Sequence, residues 1–257
     1  MSVFFWFRRD LRLHDNPGLA AAQRLAQQQG VPLHCCYLAT PQQWAQHDMA
    51  PRQADLLERR LNALGQELAE LGIPLTLLRC DDFTAAPATL AEWLISSAPL
   101  ASAAVTLFAN RELPVDEQRR DEAVEQTLMA SAISCRWFDE RCLFAPGTIN
   151  TASGDMYRVF TPFCRAWLRQ LASEGFSLAS KVQPQGPALI WQPIELAYAK
   201  CSSQGWPVAE REVRERLWLF AQHKVTDYAH LRDLPAREGT SQLSPYLALG
   251  VLSIRQC

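Results

Sequence analysis

Several things are missing from this 257-residue sequence, and each absence removes a class of protein. Charge of one sign is missing: 25 Lys+Arg face 27 Asp+Glu for a net −2, so no global basic field points to nucleic acid. A nucleic-acid function would need a local patch. Long apolar runs are missing too. The opening VFFWF meets Arg8, Arg9 and Asp10 at once, too short a run for a signal peptide or a membrane span. The eight cysteines form no CxxC pair and no zinc spacing, so reduced thiols and a cytoplasmic location are expected. The first strand-to-helix turn, FRRDLRLHDNPGL, holds no glycine before its helix, which removes the usual glycine fingerprint of a dinucleotide site. No internal repeat is evident.

What is there suits a globular protein: 48% hydrophobic and 20% charged residues, in a length that fits one large domain or one domain plus part of another. Apolar runs at 3–7, 33–39, 75–80, 104–109 and 135–138 read as buried parallel strands. Helical patterns lie between them. Residues 17–29 follow the capping pair Asp15-Asn16, with proline just inside, and end at Gly30. Residues 51–71 place Leu56, Leu57, Leu61, Leu64, Leu68 and Leu71 at helical spacing before Gly72, and 86–98 and 116–131 supply two more helices. This alternation predicts an α/β fold, a Rossmann-like, doubly wound, parallel five-stranded sheet over 1–135. Residues 136–206 read as a connector with one helix near 160–171, and 207–257 as the start of a helical region.

The segment GTSQLSPYLALG at 239–250 sets hydroxyls before an apolar helical pattern. Backbone N–H groups at a helix start lack partners, so an anion there gains hydrogen bonds and the helix dipole; a plain N-cap is the alternative. In the first turn, Arg8, Arg9, Asp10, Arg12 and Asp15 are expected to knit neighbouring segments through charge-assisted hydrogen bonds. Arg211, Arg214 and Arg216 stand among glutamates and read as a solvated helix face. Trp6, Trp44, Trp93 and Trp137 read as packing residues.

The stretches WFRRDLRLHDNPGL, ATPQQWAQHDMAPRQADLL, DMYRVFTPFCRAWLRQL and YAHLRDLPAREGTSQLSPYLALGVLS resemble, in order, the photolyase/cryptochrome family. Within it the sequence is most similar to the folate-class repair enzymes for cyclobutane pyrimidine dimers. The resemblance implies a carbon–carbon lyase in which excited, reduced FAD gives an electron to the dimer, with 5,10-methenyltetrahydrofolate as antenna. Base flipping brings the lesion to the flavin. Damaged DNA containing pyrimidine dimers is the implied partner, and a monomer without membrane association is expected. A signalling cryptochrome and a stand-alone antenna module are the alternatives.

By the same resemblance, His47, Asp116 and Glu117 contact the folate; acids that favour a helix N-terminus and a solvated histidine are the alternatives. Asp116 stands where the family has asparagine, so it cannot donate, whereas Glu117 can accept from a pterin amino group and ring N–H. Tyr228, Thr240, Ser241, Gln242, Leu243 and Ser244 match the residues that hold FAD, with Gln242 where the similar enzymes often carry arginine. Arg232 matches an arginine on the DNA-facing surface, where a phosphate contact would fix position without reading sequence; an ion pair with Asp233 or Glu238 is the alternative. No catalytic residue is expected before residue 257. The chain is expected to be an N-terminal fragment, inactive alone, with Leu247, Leu249, Val251 and Leu252 left exposed.

Overall fold

The computed structural model describes residues 1–98 and 104–257. Its first half alternates strand and helix: β1 (Ser2–Phe7), α1 (Pro17–Gln29), β2 (Leu33–Ala39), α2 (Pro41–Gln46), α3 (Pro51–Glu70), β3 (Leu75–Arg79), α4 (Ala86–Ser97), β4 (Val105–Asn110), α5 (Val115–Ala130) and β5 (Ile133–Phe138). The five strands form one parallel sheet in the order β3-β2-β1-β4-β5, as expected from the apolar runs. Every residue of the central β1 is buried.

Successive β1 side chains point to opposite faces and feed two cores. Val3, Phe5 and Phe7 join Leu19 of α1 and Leu57, Leu61, Leu64 and Leu68 of α3. Phe4 and Trp6 join Leu90, Trp93 and Leu94 of α4 and Val124 and Leu128 of α5. The order reverses between β1 and β4, because the chain builds outward from β1 first on one side and then on the other. Such a switch point leaves a crevice beyond the carboxyl ends of the strands.

Beyond β5 the chain makes helix α6 (Phe160–Glu174), three residues longer than expected, then runs extended back along α3. Side chains tack this return run down. Gln23 and Gln183 exchange hydrogen bonds with each other's segments, and Gln185 bonds both the Leu33 and Gly72 carbonyls. Asp55 accepts from the Ser203 amide and hydroxyl. Gly65 in mid-α3 makes room for the Trp191 ring, which an added Cβ would meet at 2.3 Å.

The last stretch contains α7 (Glu210–His223), a 3-10 turn at Val225–Asp227, α8 (Tyr228–Leu231) and α9 (Ser244–Leu249). Here one expectation is corrected. Val251 and Leu252 are buried, in a small core with Val213, Leu243 and Tyr246, and Leu247 and Leu249 are half-buried against it. Val213 of α7 and Trp206 of the connector supply the cover.

Candidate functional site

The turn after β1 is the keystone of the site. Arg8 and Arg12 are buried, and burial of an unpaired guanidinium is costly, so each must find partners. Arg8 Nη1 donates to both carboxylate oxygens of Asp121 at 2.7 Å. Arg120 bonds Glu112 at 2.8 Å and Asp121 at 2.7 Å. Arg9, half exposed, reaches Glu112 at 3.6 Å and Glu117 at 3.3 Å. The Arg8 and Arg120 guanidinium carbons lie 4.7 and 4.8 Å from the Trp6 ring centroid, within cation–π range. Burial alone would raise the Glu112 carboxyl, but Arg8, Arg120 and Arg9 outweigh it and hold the pKa below the ordinary value. Burial raises that of Asp10, with Glu140 adding to the effect.

Above this charged floor opens a cleft of 1130 Å³ at the switch point. Trp6 of β1 with Arg8 and Arg9 just beyond it, Tyr37 of β2 with Thr40 just beyond it, and Glu112 after β4 line one side. Trp44 and His47, the α3 start, Ser203 and Trp206 of the connector, and Ser244, Pro245 and Ala248 of α9 complete it. At the base, Trp6 Nε1 and Arg8 Nε and Nη2 are buried without a hydrogen-bond partner among the described residues. Buried donors of this kind suit a ligand carrying acceptors.

His47, Asp116 and Glu117 all line this cleft. His47 caps the end of α2 and sits in the exposed loop, its ring nitrogen 2.7 Å from the Gln43 amide. Asp116 and Glu117 lie in the first turn of α5, where the helix dipole favours negative charge. Asp116 is exposed and pairs with Arg119 at 3.3 Å; Glu117 is buried and turned to Arg9.

The residues matched to the flavin divide between two cavities. Ser244, the first residue of α9, lines the large cleft. Thr240, Ser241 and Gln242 line a separate 350 Å³ pocket with Arg216, Phe220, His223 and Lys224. Leu243 is buried in the small core, and Tyr228, partly exposed, meets the Phe220 ring edge-on at 6.0 Å. Gln242 adopts a left-handed φ of 52°, and its side-chain oxygen accepts from Arg216 at 2.9 Å. Arg216 also reaches the Tyr246 hydroxyl at 3.3 Å, so the reading of a wholly solvated arginine face is corrected at this position. Arg232 is exposed and lies 3.6 Å from Asp233, while Glu238 pairs with Lys224.

Sequence reasoning missed Gln43, Arg52, Ser203 and Trp206 as cleft residues, because they come from loops and helix ends with no period to mark them. Among the described residues no group of three or more metal-ligating side chains occurs, and no helix is long and apolar enough to cross a membrane.

Known proteins resemble this chain in sequence and in fold. The chain is 43% identical over 258 residues to a deoxyribodipyrimidine photo-lyase of Vibrio cholerae, covering 98% of this chain and 53% of that one. It is 41% identical over 257 residues to the Escherichia coli deoxyribodipyrimidine photo-lyase, with 98% and 52% coverage. A bacterial class III photolyase structure from Agrobacterium tumefaciens superposes with a TM-score of 0.69 at 28% identity, over 98% of this chain and 51% of that chain. The chain thus spans about half the length of the curated relatives it matches. The DNA photolyase family model matches residues 3–185, which take in the sheet from Val3 onward, the floor of the cleft and α6; the chain belongs to the DNA photolyase family.

Proposed function

We propose that this chain provides the antenna site and part of the flavin site of a deoxyribodipyrimidine photo-lyase, an enzyme that repairs cyclobutane pyrimidine dimers in DNA with light. One observation carries the reading. His47 and the pair Asp116 and Glu117, from distant parts of the sequence, meet on a single cleft of ligand size at the switch point of the sheet.

The residues present fit a reduced folate such as 5,10-methenyltetrahydrofolate. Glu117 offers acceptors for a pterin amino group and ring N–H, and the orphaned Trp6 and Arg8 donors meet acceptor atoms. The folate supplies light absorption when bound. The cleft walls, Trp44 and Trp206 among them, shield the ligand from water and fix its orientation. Arg9 holds Glu117 in place and balances its charge.

The smaller pocket suits the phosphates of FAD. Thr240, Ser241 and the backbone before α9 offer donors, and Arg216 and Lys224 supply positive charge. In this reading Gln242 keeps a donor where arginine is common, and Arg216 of α7 restores the lost cation beside it. Leu243 contributes through its backbone and Tyr228 through its ring. Ser244 faces the large cleft instead. Arg232 exchanges its exposed contact with Asp233 for a DNA phosphate; such surface pairs contribute about 0–1 kcal/mol, so the exchange costs little.

The repair reaction, with damaged DNA as substrate, is proposed for a polypeptide of the relatives' length. The division into 1–135, a connector at 136–206 and a helical part from 207, a monomeric state and a cytoplasmic location belong to the same reading. Titrating the purified chain with 5,10-methenyltetrahydrofolate, followed by its near-ultraviolet absorbance and fluorescence, tests the antenna site. Saturable one-to-one binding that is lost in Glu117→Ala is expected. Absence of saturable binding would refute this assignment of the cleft.

A further inference from the structure

The turn after β1 contains a group that neither cavity uses. Asp15 is buried at 2% exposure and holds a left-handed backbone, φ 50°. A non-glycine residue adopts that conformation at a steric cost, which the surroundings must offset. Its carboxylate accepts from three places: the Ala179 amide of the connector at 2.8 Å, the Ser253 hydroxyl, and Arg255 Nε at 3.0 and 3.2 Å. Its carbonyl accepts from Arg12 Nη2 at 2.7 Å, and Arg12 Nη1 passes on to the Gly250 carbonyl at 3.1 Å. The Leu11 amide donates to the Leu249 carbonyl at 3.2 Å. Loop 8–15 therefore holds the end of α9 through both its backbone and its charges.

What it holds matters for both cavities. Ser244, Pro245 and Ala248 of α9 form a wall of the cleft, and the residues just before α9 line the smaller pocket. α9 has only six residues and packs on a core of a few side chains around Tyr246, so what grips its ends adds to what sets its position. We propose that Asp15, through Arg255 and Ser253, is a positioning residue that fixes α9 against the sheet and so sets the placement of the two ligand sites relative to each other. The ligands belong to the function proposed above; the clasp itself stands on the geometry alone.

The experiment uses the purified full chain with Asp15→Asn, Arg255→Met and Arg255→Lys. Asparagine tolerates the left-handed backbone and keeps an acceptor but loses the charge that holds Arg255, whereas lysine in place of Arg255 keeps a cationic donor. Two quantities are read: amide hydrogen exchange residue by residue, and the affinity for 5,10-methenyltetrahydrofolate. In D15N and R255M, amides of 246–251 should exchange about tenfold faster or more, while β1 and β4 amides stay unchanged. Folate should bind roughly three- to tenfold more weakly, since one wall of the cleft is no longer fixed. R255K should restore both. Unchanged exchange at 246–251, or equal acceleration through the sheet, overturns the clasp. If wild-type chain fails to bind folate, the antenna reading fails, and the exchange pattern alone still decides the role of Asp15.

Discussion

Arg12 and Gly250 stand 238 positions apart, and the buried Arg12 guanidinium donates to the Gly250 carbonyl at 3.1 Å. The same side chain bonds the Asp15 carbonyl and the Glu140 carboxylate. One residue thus ties the first turn of the sheet, the start of the connector and the end of α9. Arg141 adds a second link, donating to the carbonyls of Arg9 and Leu247. The last carbonyls of α9 are in this way satisfied from outside the helix, as helix ends require.

Gly250→Ala should break this junction. Gly250 has φ 71°, and a Cβ there would lie 2.0 Å from the Arg9 carbonyl oxygen. Neither the left-handed backbone nor the contact can relax without parting α9 from the sheet. A loss of about 2–4 kcal/mol is expected in urea unfolding. Alanine at Gly30, also a left-handed helix end but with open space around it, should cost only about 1 kcal/mol. Equal losses at the two sites would show that backbone strain, not the close approach, governs Gly250.

Acid should loosen the floor of the cleft. Glu112 is buried, which by itself raises its carboxyl, yet Arg8, Arg120 and Arg9 bring it below the model-compound value of 4.5. A carboxyl lowered in the folded state contributes stability above its unfolded pKa and loses it as pH falls through the folded value. Glu210 acts in the same sense: its burial is outweighed by His14 and the Leu13 amide. Asp10, raised by burial, has the opposite sign and favours folding as pH falls. Glu112→Gln should therefore be clearly less stable than wild type near pH 7, with the gap narrowing as pH falls below the ordinary carboxylate range. A gap independent of pH would mean that the carboxylate's charge is not what stabilises the site.

Much of the fold could be read from the sequence because buried parallel strands are continuous apolar runs. The leucine spacing of α3 and the Asn16-Pro17 start and Gly30 end of α1 were equally plain. Helix α2 was not: PQQWAQ has one large apolar side chain and no period. The resemblance supplied His47, Asp116 and Glu117 as a group, but composition alone would have left them as two unrelated helix ends. Nor does the sequence show that Ser244 faces a different cavity from Thr240, or that Arg216 turns to Gln242. Such pairings are long-range and set by which helix crosses which, and they leave no periodic mark. The expected exposure of Val251 and Leu252 failed for that reason, since the residues that cover them, Val213 and Trp206 among them, lie far away in the sequence.

Asn16 distinguishes capping from its wider network. Its side-chain oxygen caps α1 at the Leu19 amide, while its Nδ2 donates to the carbonyls of Asp10 and Arg12. Asparagine and aspartate are nearly equal as N-caps in general. Here Asn16→Asp keeps the cap but loses both donations and places a second carboxylate near buried Asp10. It should cost about 2 kcal/mol or more, against a few tenths for a cap exchange alone. Near-neutral behaviour of N16D in urea unfolding would reduce Asn16 to a cap.

Asp116→Asn separates the two acids of the cleft. Asp116 is exposed and spends its charge on Arg119; Glu117 is buried and held by Arg9. A folate edge that meets both residues needs acceptors at Glu117, which is in place, and gains from a donor at 116, which a carboxylate lacks. D116N should therefore tighten 5,10-methenyltetrahydrofolate binding about two- to tenfold, the range of one neutral hydrogen bond. Glu117→Gln should act oppositely and more strongly, weakening binding by roughly tenfold or more, because a charged acceptor in a buried site is removed. Equilibrium titration of the two variants side by side decides the matter. A rise for D116N with a fall for E117Q places both side chains on the ligand. A fall for E117Q alone leaves Asp116 as a helix-start charge whose partner is Arg119.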